Sequence, residues 1–581
     1  MEDVDSVFLG INNDYVDPSA AIVRAGKVLA FAEEERFVRQ KHALGRYPIN
    51  ALQFCLDHAG VDLREVAAIG INWNLTAYSD GTMEEFYRAM QTEWKVDRQT
   101  MEWQLSRLKK RNRDNYLKIH QQNLYRAFGD SRIPEFIDIP HHYTHAFQAF
   151  KQSPFDRAVC LTIDGSGDNH CTVVWRCDDE GIVPIKEILM PHSLGWVYAA
   201  FTEYLGFRAY DGEYKVMGLA AYGRRNEDLY NKLARIVRLD LDEVEYRVDP
   251  RYIHYGGHRY SGRFTDELVG LLGRTPRLPS EDITQWHEDL AYAVQEALER
   301  AVERLVRWAV LECGIDRVCV SGGVGLNIKM NSRLYQLPEV KDFFAHPLCG
   351  DNGAAAGSAL VACHQVCGAE PEKLVTLALG NQQDEDSIIK VLDTAKLDYD
   401  RADDLCGEVV DDLVDGKIVG WFQGRMEAGP RALGQRSILA DPRHAENRDK
   451  VNRVIKFREY WRPFCPSLPE ESMARYFDDY TNGYFMNISF SANERLKREA
   501  PAIVHVDGTC RTQMVSKSTL PVFHQLLSAF EARTGVPVLL NTSFNVKGEP
   551  VVATVTDALR TFWSTGLDTL VVGPFVIRKP R

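Results

Sequence analysis

Two stretches far apart in the chain are written the same way. Val7–Val23 and Val159–Trp175 each read as an apolar strand, a polar bend carrying an acidic residue, and a second apolar strand. A chain that repeats this unit is predicted to build two similar subdomains facing each other. Asp17 marks the first bend and Asp164 the second. Bends of this kind turn backbone N–H groups toward a cleft, where they can cradle phosphate oxygens.

The rest of the pattern supports a large α/β protein. A third strand, "KVLAFAEEER", follows the first pair, and a helical pattern, "INALQFCLDHAG", ends at Gly60. Residues 83–128 are charged and aromatic at helical spacing and are expected to form a helical insertion over a cleft. "TQWHEDLAYAVQEALERAVERLVRWAVLECG" has apolar positions three or four apart, the mark of an amphipathic helix. A buried-type strand, "DRVCVSG", then runs into Gly322, Gly323 and Gly325, and "DNGAAAGSALVACHQ" reads as a tightly packed small-residue helix. Periodicity fades between residues 366 and 386. The chain is expected to divide into residues 1–366, with subdomains 1–155 and 156–366, and residues 387–581, an α/β unit with strands of its own. At 581 residues it is too long for one core.

Composition excludes some function classes. The net charge of −13 opposes nucleic-acid or anionic-membrane binding. No apolar run reaches membrane-spanning length, and the acidic start "MEDVDSVFLGI" reads as neither a signal nor a transit peptide. The twelve cysteines are scattered, with Cys160, Cys171, Cys319 and Cys465 in apolar segments. Cys363 and Cys367 flank His364 without a second pair to complete a zinc cage. A reducing, cytoplasmic setting is expected.

Three groups of residues carry chemistry. In "PHHYTHAF", His141 and His145 stand one helical turn apart, so both imidazoles can close on one ion. His142 points about 100° away and reads as packing. The spacing alone also fits two surface histidines; Asp164 and Asp351, in "CGDNGAAAG", are the carboxylates that would make a ligand set suited to Fe(II), Zn or Mn. The second group is the glycine turn "SGGVGLN". The third lies between Arg425 and Arg462, where ten Lys/Arg stand against five Asp/Glu. Within it "GPRALGQRS" holds Arg431 and Arg436 beside a Gly-Pro turn, suited to gripping a phosphate. Lys456 and Arg462 flank "FREYW", "TCRTQ" brings Arg511, and "LLNTSFN" brings Asn541, Thr542, Ser543 and Asn545. Together they read as a second anion site.

The paired bends with the glycine turn resemble the actin/hexokinase (ASKHA) nucleotide fold. The motifs "AFAEEERFVRQKH", "HHYTHAF", "SLGWVY", "YKVMGLAAYG", "SGGVGLNIKMN", "GPRALGQRS", "WRPFCPS", "CRTQ" and "LNTSFNVKGEP", in this order, resemble the carbamoyltransferase family of nodulation protein U and the cephalosporin and tobramycin carbamoyltransferases. The resemblance spans nearly the whole chain. It implies an ASKHA domain of two RNase H-like subdomains followed by a YrdC-like domain. It implies that carbamoyl phosphate and ATP give carbamoyl-AMP in the second domain, and that a hydroxyl of a small natural product attacks the carbamoyl group in the first. By the same resemblance, His141, His145, Asp164 and Asp351 hold a divalent metal, Fe(II) ahead of Zn or Mn, with Mg accompanying ATP. Arg431, Arg436, Lys456, Arg462, Arg511, Asn541 and Ser543 bind carbamoyl phosphate, the five cations among them being catalytic together with Asp17. Lys215, Gly218, Gly322, Gly323 and Asn327 contact nucleotide. A monomer or homodimer with no nucleic-acid or membrane partner is expected. A tRNA threonylcarbamoyladenosine-type enzyme and a silent nucleotide-binding regulator are the rival readings. One position departs from the family: "HDSAA" becomes "YVDPSAA", so Val16 stands where a histidine could act as base, leaving Asp17, Asp14 or Asn13 for that role.

Overall fold

The computed structural model describes residues 5–13, 16–94, 98–110, 112–129, 132–239, 244–254, 262–459 and 461–579. Asp14, one of the proposed substitutes for a base, lies outside the described residues.

Two five-stranded sheets repeat one topology. The first comprises β1 (Val7–Asn12), β2 (Ser19–Arg24), β3 (Lys27–Glu33), β4 (Val66–Ile71) and β5 (Glu135–Asp138), ordered β3-β2-β1-β4-β5. The second comprises β6 (Ala158–Gly167), β7 (His170–Asp178), β8 (Gly181–Leu189), β9 (Arg317–Ser321) and β10 (Asp342–Ala345), ordered β8-β7-β6-β9-β10. In each, the first strand of the unit lies centrally, its successors build one side, and two later strands build the other. β4 and β5 run parallel to β1, as β9 and β10 run parallel to β6. The repeated strand–bend–strand pattern thus marks two copies of one sheet, the arrangement expected of the first domain.

The chain divides into two compact units. One is Met1–Asn12, Ile22–Lys27 and Gly60–Lys373. The other is Asn13–Ala21, Val28–Ala59 and Leu374–Arg581. The sequence reading placed one boundary at residues 366–386. The second unit also takes in most of residues 13–59, for reasons that long-range hydrogen bonds explain below.

In the first unit, close backbone approach dictates composition. Its helices include α3 (Thr82–Trp94), α4 (Arg98–Lys110), α5 (Arg113–Phe128), α6 (His141–Gln152), α7 (Leu194–Tyr204), α8 (Glu213–Ala220) and α9 (Gln285–Cys313), whereas α1 (Glu35–Val38) and α2 (Ile49–Ala59) belong to the second unit. α3, α4 and α5 fall in the expected helical insertion. The small-residue helix α10 (Ala354–Cys367) packs against β1 so closely that a Cβ on Gly10 would meet the Ala355 carbonyl oxygen at 1.8 Å. Cys363 and Cys367 sit one turn apart on α10 with sulfurs 3.7 Å apart, inside the core.

The second unit is built on an eight-stranded sheet of β11 (Asp400–Arg401), β12 (Val419–Phe422), β13 (Arg436–Ala440), β14 (Cys465–Pro469), β15 (Gln513–Val515), β16 (Leu539–Ser543), β17 (Thr569–Val572) and β18 (Phe575–Arg578), ordered β11-β18-β17-β12-β13-β16-β14-β15. The helices Leu405–Val414 and Pro521–Thr534 cover it, and Val409, Leu413, Trp421, Leu439, Leu526, Phe530 and Leu539 form its buried core. Burying such side chains contributes about 1.5–3 kcal/mol each before the entropy of ordering them. Residues 28–59 belong here because their polar groups are satisfied here. Arg36 donates to the Gly429 carbonyl at 2.8 Å while Gly429 N–H donates to Glu33 at 3.0 Å. Arg39 donates to the carbonyls of Val551 and Pro550 at 2.7 and 2.9 Å, and Arg425 to that of Leu29 at 3.0 Å.

Candidate active site

Helix α6 begins directly after Pro140, and this fixes the histidines. His141 and His145 are both fully buried. The main-chain N–H of His141, in the first turn of the helix, donates to Asp168 Oδ2 at 3.1 Å, and Asn74 N–H donates to Asp168 Oδ1 at 3.1 Å. His141 Nδ1–H donates to the Asn72 carbonyl at 3.3 Å, which leaves Nε2 facing inward. The ring fits only because residue 167 is glycine: a Cβ there would lie 2.2 Å from His141 Cδ2.

Four side chains converge on one point. His141 Nε2 and His145 Nε2 are 3.2 Å apart. His141 Nε2 lies 3.8 Å from Asp164 Oδ2 and 3.5 Å from Asp351 Oδ1; for His145 Nε2 the distances are 3.6 and 3.8 Å. All four ligand atoms lie within 4.8 Å of one another. Two nitrogens bound at about 2.05 Å to a tetrahedral ion would be about 3.3 Å apart, so the imidazole spacing suits a shared cation. Asp351 Oδ1 is buried with no hydrogen-bond partner, and a cation satisfies such an oxygen. Burial by itself would lower the His141 pKa; the carboxylates of Asp164 and Asp351 outweigh it and hold His141 well above the usual range. Burial by itself would raise the Asp351 carboxyl; the two imidazoles beside it outweigh that and hold it far below the carboxylate range. The donor set fits a divalent transition metal.

The sequence reading put Asp164 in the bend between two strands. It lies instead within β6, where the pairing with β7 breaks between Ile163 and Gly167, and the residue in the turn is Asp168, with φ 54°. The irregular register turns Asp164 inward. Its Oδ2 accepts from Gly323 N–H at 2.9 Å and its Oδ1 from Gly165 N–H at 2.6 Å. The glycine turn therefore abuts the candidate metal ligands. Gly322 has φ 84°, and a Cβ there would lie 2.3 Å from the Ile163 carbonyl oxygen, so only glycine fits. Ser321 Oγ lies 3.4 Å from His145 Nδ1. His142 packs against the hairpin, with Nδ1 2.9 Å from Thr162 Oγ1.

Asp168 escaped the sequence reading, although its place in the second bend matches that of Asp17, which has φ 53°. It orients a ligand through the helix start. Asparagine tolerates positive φ, so Asp168→Asn should keep the turn and lose one acceptor. The expected result is about a 10–100-fold fall in metal affinity, read by competition with a chelating dye.

The residues assigned to nucleotide separate into two sets. Gly322 and Gly323 adjoin the metal ligands. Asn327 forms a reciprocal amide pair with Gln295, both bonds 2.9 Å, and caps the helix Ile328–Tyr335, so its polar atoms already serve the fold. Lys215 and Gly218 lie on α8; the Lys215 ammonium sits 5.6 Å from the Phe207 ring centroid, and Gly218 is buried.

In the second unit the "GPRALGQRS" loop folds around Glu427, whose Oε1 accepts from Leu433, Gln435 and Arg436 N–H at 2.7, 2.8 and 3.1 Å. The two arginines fare differently. Arg431 is half-buried on the loop. Arg436 is fully buried, donates to the carbonyls of Gln423, Gln435, Gly424 and Asn381 at 2.7–3.3 Å, and lies 3.6 Å from the Phe422 ring centroid. Burial pulls its pKa down to about 10. Its guanidinium holds the strand start: Nη1 and Nη2 are spent on these carbonyls, and Nε is buried without an acceptor. Lys456 reaches the end of β16, donating to Ser543 Oγ at 3.2 Å and Asn545 Oδ1 at 2.8 Å. Burial first, then the cations Arg458, Arg462 and Lys41, pull Lys456 well below the usual lysine range. Asn541 donates to Ser467 Oγ at 2.9 Å, Arg511 Nε donates to Cys465 Sγ at 2.8 Å, and Arg462 lies 3.8 Å from Glu459. Lys41 and Arg458 therefore join the cationic group, and the sequence reading missed both. Arg39 anchors the Lys41 segment to the 550–551 strand approach, a contact that no local pattern signals.

The amino-terminal domain of the carbamoyltransferase family matches residues 7–360, and its carboxy-terminal domain matches residues 410–579. The chain belongs to the carbamoyltransferase family. This carbamoyltransferase is similar to an uncharacterised Synechocystis protein, 36% identical over 98% of this chain and 96% of that one. It is similar to nodulation protein NolNO of Sinorhizobium fredii, 36% identical over 97% of this chain and 79% of that one. The 3'-hydroxymethylcephem-O-carbamoyltransferase of Amycolatopsis lactamdurans is 36% identical over 44% of this chain and 47% of its own length. Among solved structures, component A of the Acidaminococcus fermentans (R)-2-hydroxyglutaryl-CoA dehydratase aligns with 62% of this chain and 98% of its own at 13% identity, with a TM-score of 0.33, too slight a likeness to carry weight. The protein is thus a transferase enzyme. Among the described residues of this carbamoyltransferase, no helix is long and apolar enough to cross a membrane.

Proposed function

We propose that this enzyme is an ATP-dependent O-carbamoyltransferase that activates carbamoyl phosphate as carbamoyl-AMP and delivers the carbamoyl group to a hydroxyl of a small natural product. The second unit, read as YrdC-like, performs activation. Atom balance sets the steps: water releases phosphate from carbamoyl phosphate, and the resulting carbamate oxygen attacks the α-phosphorus of ATP, expelling pyrophosphate. Arg431, Lys456, Arg462, Arg511 and Lys41 provide positive charge for these anions, with Ser543 and Asn541 at the strand end. The first unit, read as ASKHA-type, performs transfer: the acceptor hydroxyl forms a new C–O bond to the carbamoyl carbon, and the bond to AMP breaks.

The observation that carries this reading is the convergence of His141, His145, Asp164 and Asp351 in a carbamoyltransferase. A bound divalent metal, with Fe(II) ahead of Zn or Mn, would stabilise charge on the departing phosphate. Asn72, Ser321, Gly165 and Gly323 aim three of the four side chains, His141, His145 and Asp164. Val16 cannot take a proton; Asp17, whose Oδ1 lies 2.8 Å from His42 Nδ1, forms a carboxylate–imidazole pair within the second unit.

The test is pyrophosphate release from ATP and carbamoyl phosphate without acceptor, followed by mass spectrometry of products formed with a metabolite extract. Arg431→Ala should cut pyrophosphate release by about 100-fold or more with an unchanged melting temperature. Wild-type release at the background rate would sink the activation half of the reading.

A further inference from the structure

Arg263 is a buried cation that forms no ion pair among the described residues. The residue is 4% exposed. Among the described residues its side-chain hydrogen bond runs from Nη2 to Tyr210 Oη at 2.9 Å, and it forms no ion pair. Its Nε is buried with no acceptor. Aromatic rings flank it: the Cζ lies 5.0 Å from the Tyr210 ring centroid and 5.5 Å from that of Trp196. Glu213 is close enough to feel the Arg263 charge, but the hydrogen bonds of the neighbouring carboxylates go to main-chain groups. Glu203 accepts from the main-chain N–H of Arg263 at 2.7 Å, and Glu213 accepts from Tyr210 and Gly212 N–H at 2.9 and 3.2 Å.

Position gives this a meaning. Trp196 lies against Gly165, where a Cβ would come within 2.7 Å of the indole Nε1. Gly165 follows the metal-ligand candidate Asp164 and donates to it. The Trp196 indole is thus a neighbour of both the guanidinium and the residue that follows Asp164. Leaving a guanidinium N–H buried and unmatched is costly, and an incoming oxygen anion removes that cost. A guanidinium held by stacked rings also presents its donors in a fixed plane, which suits carboxylate or phosphate.

We infer that Arg263, held by Trp196 and Tyr210, binds an oxyanion of a ligand at the transfer centre, either the phosphate of the donor or a carboxylate of the acceptor. The inference rests on the reading that transfer occurs beside His141 and His145. Calorimetric titration of the full-length protein with AMP, and separately with D-glycerate as a small hydroxyl-bearing carboxylate, tests it. Arg263→Gln should lose affinity by about tenfold or more, for AMP if the anion is the donor's phosphate and for glycerate if it is the acceptor's carboxylate. Arg263→Lys, which keeps the charge without the planar fork, should recover part of the loss. Unchanged affinity of Arg263→Gln for both probes, or no binding of either by the wild type, overturns the inference. So does an equal loss in the Gln and Lys variants accompanied by a fall in melting temperature, which would mark a packing role. Wild-type pyrophosphate release is measured in parallel. Its failure would count against the proposed reaction alone, because the titrations need no turnover.

Discussion

Alanine at His141 is expected to cut carbamoyl transfer by about 10³-fold or more while pyrophosphate release continues at the wild-type rate. The imidazole contributes one of four converging ligand atoms, and its loss leaves Asp164 Oδ2 and Asp351 Oδ1 facing each other with one nitrogen between them. Repulsion between the carboxylates and a missing ligand both act against a bound ion. On the proposed reading activation rests on residues of the other compact unit, so the readouts should separate. Metal content and a melting curve distinguish loss of the ion from loss of the fold. If His141→Ala stops pyrophosphate release as completely as it stops transfer, activation and transfer are not divided between the two units.

Methionine at Arg436 should destabilise the second unit by about 3–5 kcal/mol, read as a lower midpoint in chemical denaturation. Four carbonyl oxygens, those of Gln423, Gln435, Gly424 and Asn381, would lose a donor, and the Phe422 ring its stacked cation. Lysine should rescue little, because one ammonium on a flexible stem cannot reach all four acceptors in the plane of a guanidinium. The contrast with Arg431→Ala is the informative part. Both arginines stand in "GPRALGQRS", yet one change should remove activity at constant stability and the other should remove stability. A stable Arg436→Met protein that has lost only activation would restore Arg436 to the ligand-binding group.

The four residues separating those arginines show where a sequence stops being readable. Local composition identified a cationic motif and a rigid turn. Which guanidinium is buried depended on tertiary contacts: the Glu427 carboxylate gathers three N–H groups of the loop, including that of the fully buried Arg436, while Arg431 stays half-buried. Likewise the sequence placed an acid near residue 164, but the register break in β6 decided that Asp164 turns inward and Asp168 takes the turn.

What the sequence determined by itself was periodic or local. The repeated strand–bend–strand pattern, the helical spacing of His141 and His145, and the small residues of α10 follow from geometry that extends over a few residues. The tertiary structure alone decided which distant groups meet. Asp351 reaches the histidines, Gly323 aims Asp164, and Arg39 pins the 39–42 segment beside 550–551. Such pairings satisfy buried polar groups across long separations in the chain, and no spacing in the sequence encodes a partner hundreds of residues away.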